Sequence, residues 1–236
     1  MSYLRGHWQL LLIIALVFSL WRTPVIYPLR IFVIFLHELS HGLAGIATGG
    51  SIVEISLDPG EGGHALIRGG NRFVTLSAGY LGSLILGAML FLTALRSRAD
   101  RAALALCGLT LLVVTVFWIR TPFALAFCLV TGAVMLAMAR YLPHQVADLA
   151  LRVIGLTSLI YVPYDIFDDT LRRSALQSDA RMLAEEFGGA TVMWGGLWLL
   201  LGLAVIWLCL RHGLGPASNI AFRRSSAEGE RTAGTP

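Results

Sequence analysis

Seven apolar stretches, each closed by a short polar break, occupy most of this 236-residue chain and leave a membrane-embedded helical fold as its outlet. They run over about 7–21, 25–47, 73–95, 102–119, 122–139, 149–167 and 191–210. A helix needs about 20 residues to cross the hydrocarbon, so the first stretch is short and six or seven crossings are expected. The break at Arg120-Thr121-Pro122 leaves the fourth and fifth stretches as either a tight hairpin or one kinked element. Charged residues make up only 14% of the chain, against about a quarter in soluble domains. Its 18 basic residues are all Arg and lie at loop ends and in the tail. No basic stripe could track a phosphate backbone, which excludes nucleic acid as a partner and leaves the lipid bilayer as the surroundings.

The reading is therefore an all-α polytopic membrane protein, with one membrane-embedded domain over 1–211 and a polar, disordered tail over 212–236. The N-terminal stretch resembles a signal peptide in length, but no small-residue cleavage site follows it, so it reads as a retained helix. Cys107, Cys128 and Cys209 fall inside apolar runs at unrelated spacings and read as small core residues. Counting Arg on alternate sides gives 7 against 11 for seven helices. The count becomes 7 against 8 without Arg223, Arg224 and Arg231, and orientation stays open.

The second stretch contains His37-Glu38-Leu39-Ser40-His41, an H-E-x-x-H motif. With 6 His and 7 Glu in the chain, chance would produce the motif about 0.005 times. On a helix the two histidines share one face and can hold a single Zn²⁺, while Glu38 lies at their flank. There it can take a proton from water on the metal and pass it to a leaving amine. Two buried histidines and an acid with no such role would be a costly burden on an apolar helix.

Residues 49–72 are the least helical part. Glycine pairs bracket them, Pro59-Gly60-Glu61-Gly62-Gly63 forms a turn, and 51–57 and 64–68 read as a β-hairpin following the zinc helix. The edge at Ser51 to Leu57 could receive an extended substrate through main-chain hydrogen bonds. His64 reads as a surface residue of that hairpin. Gly79, Ser83 and Gly87 form a small-residue stripe suited to close packing, with the zinc helix as the expected neighbour. The sixth stretch holds Pro163 and three acids, Asp165, Asp168 and Asp169, at its end. One of them is expected to complete a zinc site, the others to lie in the headgroup region. Ser178-Asp179 reads as the capped start of a short amphipathic helix through Met182, Leu183 and Phe187, stopped by Gly188-Gly189.

These motifs resemble the M50 metallopeptidases, the intramembrane zinc proteases related to site-2 protease, and most closely their bacterial M50B-like branch. The resemblance covers roughly 35–198 and rests on Phe35 to Gly42, the glycine-rich hairpin, Leu76 to Ser83, and the acidic run ending at Asp168-Asp169-Thr170. The family's N-x-x-P-x-x-x-L-D-G motif implies Asp168 as the third ligand, with Phe167 in place of Leu. Ile160 and Asp169 depart from the motif's Asn and Gly, so Asp165 and Asp169 stay open as alternative ligands or outer-shell partners. The resemblance implies an integral protein of a bacterial plasma membrane that uses Glu38 as general base on a membrane-protein or peptide substrate. A catalytically inactive M50-like scaffold that keeps its metal is the alternative. Oligomeric state is not readable from the chain.

Overall fold

The computed structural model describes residues 2–172 and 177–220. The chain runs α1 (Ser2–Ser19), α2 (Tyr27–Ala47), β1 (Ser51–Asp58), β2 (Gly62–Arg68), α3 (Arg72–Arg96), α4 (Asp100–Trp118), α5 (Pro122–Tyr141), α6 (His144–Phe167), a π-helical turn (Asp168–Arg172), α7 (Asp179–Phe187) and α8 (Thr191–Gly213). Among the described residues, six helices are long and apolar enough to cross a bilayer, and α1 is the shorter apolar helix beside them. The Arg120 break separates α4 from α5 completely, because Pro122 begins the second of them.

Helix α2 is the centre of the molecule. Pro28 lies in its first turn, Gly49 follows its end at φ 86, and Ile31 through Leu36 are all buried. A helix buried on every side is surrounded by other helices, and here α3, α6 and the hairpin surround it. Helices α4, α5 and α8 instead expose Leu106, Val116, Val130, Leu200 and Leu203, as lipid-facing helices do.

Strands β1 and β2 pair antiparallel, with an irregularity between Ile52 and Glu54 that shifts the register. The hairpin lies on α2 because Gly42 and Gly45 leave its surface flat. A Cβ on Gly42 would meet the Ile52 and Ile55 side chains, and one on Gly45 would meet Ile67. The turn is tied to the start of α2: the Tyr27 hydroxyl donates to the Pro59 carbonyl at 2.8 Å, and Arg30 pairs with Glu61 at 2.8 Å.

The stripe on α3 serves two neighbours instead of the zinc helix alone. Gly79 faces α2, but a Cβ at Gly87 would run into Ser158 of α6. The Ser158 hydroxyl donates to the Ser83 carbonyl at 3.0 Å. Such an interhelical bond in lipid contributes about 0.6 kcal/mol, so close packing of the small residues carries most of this contact.

The boundary expected at residue 212 is corrected by a docked segment. Helix α8 continues to Gly213, and 214–220 fold back along α1. Ser218 N–H donates to the Gly6 carbonyl at 2.8 Å and its hydroxyl meets His7 Nδ1 at 2.7 Å. Buried Arg152, paired with Asp148 in α6, donates to the Ser218 carbonyl. Composition alone reads this segment as polar tail, yet its polar groups are what hold it down. The rest of that expected tail, 221–236, lies outside the described residues.

Candidate metal centre

His37 and His41 are one turn apart on α2 and turn their imidazoles the same way, with ring centres 4.7 Å apart. Nε2 of each lies 3.1 Å from the same oxygen, Oδ2 of Asp179. The donor atoms of the three residues all fall within 4.8 Å of one another. Tetrahedral bonds of about 2.0–2.1 Å require donor atoms about 3.3 Å apart, so this set matches a zinc ion in spacing as well as in chemistry. His41 Nδ1 points at the Thr75 carbonyl at 2.7 Å, an atom that can only accept. That bond fixes the proton on Nδ1 and leaves the Nε2 lone pair for a metal.

Asp179 is the first residue of α7, whose N-terminus is capped by the Ser178 hydroxyl accepting from Arg181 N–H. The apolar face of α7, with Ala180 and Leu183 buried, packs on α3 and α8 and presses the acid against α2. Phe73 stacks edge-on against Phe187 and Trp194, and Arg72 pairs with Glu186 at 3.0 Å. Burial raises the Asp179 carboxyl pKa, but when the imidazoles are protonated and hold no metal, the charge of His41 and hydrogen bonds from both histidines outweigh it and hold the group below the ordinary carboxylate range.

The three donors open on a cavity of about 280 Å³, lined also by Glu38, the β2 segment Gly62–Ala65, Tyr161, Asp165 and Asp169. Glu38 is 5% exposed and lies beside the glycines of β2. A Cβ on Gly63 would stand 2.7 Å from Glu38 Oε1, so only glycine lets the hairpin backbone pass this carboxylate. Gly79 does the same on the opposite wall, where a Cβ would lie 2.6 Å from Cε1 of both His37 and His41.

The acids of the sixth stretch are distributed differently from the motif-based expectation. Asp165 and Asp169, at i and i+4, both face the cavity. Asp169 accepts a hydrogen bond from the Tyr80 hydroxyl, and the Tyr80 ring stands edge-on to His37 at 4.8 Å. Asp168, expected to be the third ligand, does not line the cavity and lies 3.6 Å from Arg172. Asp168 and Asp169, as neighbours on one helical stretch, point in different directions, and it is Asp179 that meets the histidines. Nothing local marks Asp179 in the sequence, because an acid at a helix N-terminus is already explained by the helix dipole.

Two further placements differ from expectation. Of the hairpin, only Glu61 and β2 line the cavity, so the strand at the site is not Ser51 to Leu57. His64 is exposed, as expected of a hairpin residue, and lies at the cavity lip. Ile160 faces away, into an apolar groove with Phe18, Trp21 and Pro163.

No curated protein and no solved structure matches the chain. The family described as Peptidase M50B-like matches residues 10–209, a span that takes in the H-E-x-x-H helix, the hairpin, all the acids above and most of α8. A match over so much of its length, around a His-His-Asp centre set among membrane helices, makes this chain a member of the M50B-like membrane metallopeptidases.

Proposed function

We propose that the protein is a zinc-dependent endopeptidase of a bacterial plasma membrane that cuts peptide bonds in or near the bilayer. The observation that carries this reading is the meeting of His37, His41 and Asp179 in one cavity with Glu38 at its wall. His37, His41 and Asp179 would hold the metal. Zinc, when bound, supplies a Lewis acid that polarises a scissile carbonyl and makes water more acidic. Glu38 accepts the proton that the attacking water loses and returns it to the departing amine. The Thr75 carbonyl holds His41 in orientation, and Asp179 meets both histidines. Helices α2, α3 and α6 pack on one another and supply much of the cavity wall around these groups.

The reading is tested by loading purified protein with zinc in detergent, removing the metal with a chelator and adding it back. One zinc per chain and peptide cleavage that falls and returns with the metal are expected. Cleavage that persists in fully metal-free protein would refute it.

A substrate helix hides its amides and has to unwind before it can be cut. In a two-stranded sheet β2 keeps one unpaired edge, and its residues line the cavity. An extended substrate segment adds to that edge. Proline at the β2 positions among 64–67 whose N–H points away from β1 should lower cleavage several-fold and leave zinc bound. A scan in which every such variant cleaves normally would reduce the hairpin to a connector.

A further inference from the structure

Four hydroxyl side chains line the metal cavity, those of Thr75, Tyr80, Tyr161 and Ser178. Three are engaged. Thr75 donates to the Asn71 carbonyl, Tyr80 donates to Asp169, and Ser178 caps α7. Tyr161 is only 7% exposed, yet its hydroxyl has no hydrogen-bond partner among the described residues. Its oxygen is not among the atoms shut off from solvent, so the hydroxyl is presented to the cavity, where it can donate to a group that enters.

The ring is held from behind. Trp21 lies 5.8 Å from it at a 38° tilt, and the neighbouring residue Ile160 turns into the apolar groove on the other side of α6. Tyr161 and Asp165 of α6 and Asp169 of the π-helical turn, at i, i+4 and i+8, line the cavity together. The two carboxylates, when ionised, only accept hydrogen bonds. Tyr161 adds a neutral donor to a wall otherwise rich in acceptors, and a peptide backbone entering the cavity brings carbonyl oxygens that need one.

Building on the peptidase reading above, we propose that Tyr161 binds substrate directly, its hydroxyl donating a hydrogen bond to a backbone carbonyl of the peptide in the cavity. Preorganisation comes from the packed ring, so the donor is in place before the peptide arrives. The side chain contributes through its oxygen alone, since phenylalanine would fill the same space against Trp21.

The test compares unmodified protein with Tyr161→Phe, both zinc-loaded in detergent, using two probes. Acetohydroxamate reaches only the metal, whereas a dipeptidyl hydroxamate also places backbone carbonyls in the cavity. Tyr161→Phe should weaken the dipeptidyl hydroxamate about 5- to 50-fold, as expected for losing one partner of a buried hydrogen bond. Its zinc content and its affinity for acetohydroxamate should not move. Equal affinity of both proteins for the dipeptidyl probe overturns the assignment. A parallel loss for acetohydroxamate overturns it too, by tracing the effect to the metal. Failure of the unmodified protein to bind either probe would instead bring down the metal-centre reading on which this one rests.

Discussion

Asp179→Ala is expected to lose zinc almost as completely as a His37→Ala, His41→Ala double variant, while Asp168→Ala keeps it. Removing an outer-shell partner weakens a metal site roughly 10- to 100-fold, and removing a ligand should cost more than that. Asp179 shares one carboxylate oxygen between both imidazoles at 3.1 Å, the position of a ligand. Asp168 is turned towards Arg172 and does not reach the cavity. Asp169→Ala should fall between them, because Asp169 accepts from Tyr80 and the Tyr80 ring braces His37. Zinc titration against a competing chelator of known affinity separates the three cases. Tight binding by Asp179→Ala together with loss in Asp168→Ala would return the third ligand to the π-helical turn. Because α7 is held by the Phe73 contacts and by Arg72, zinc binding should also stabilise its docking on α3.

What the sequence makes legible here follows the range of the interactions involved. Helices α2 to α6 and α8 announce themselves through length and apolarity, and the hairpin through glycines on both sides of a β-branched run. The His37–Glu38–His41 unit is legible because its geometry is set within one helical turn. Asp179 is not, because it reaches the histidines across 142 positions of chain and only the packing of α7 on α3 and α8 brings it there. The motif-based choice of Asp168 rests on its spacing from Pro163, and that spacing does not register that Asp168 lies beside Arg172, outside the cavity lining. The docked segment 214–220 is illegible for a related reason. Its polar groups find partners on α1 and on buried Arg152, far away in sequence.

Glu38→Gln should keep one zinc per chain and lower cleavage by about 10²- to 10⁴-fold, the usual worth of a positioned proton-transfer group. The amide keeps the shape of the side chain and takes away only its capacity to accept a proton. Glu38 is not among the donor atoms that meet at the histidines, so the metal has no reason to leave. Gly63→Ala offers a check that leaves Glu38 itself intact. The added Cβ would stand 2.7 Å from Oε1 and 2.9 Å from Cγ of Glu38, so the carboxylate or the strand has to shift. A displacement near 1 Å at a reacting group can cost about 10²-fold in rate. Gly63→Ala is therefore expected to resemble a weaker Glu38→Gln, with zinc retained and turnover reduced. Cleavage at the unmodified rate by zinc-loaded Glu38→Gln would remove Glu38 from the chemistry. Loss of zinc from Gly63→Ala would mean instead that β2 braces the metal ligands and not the base.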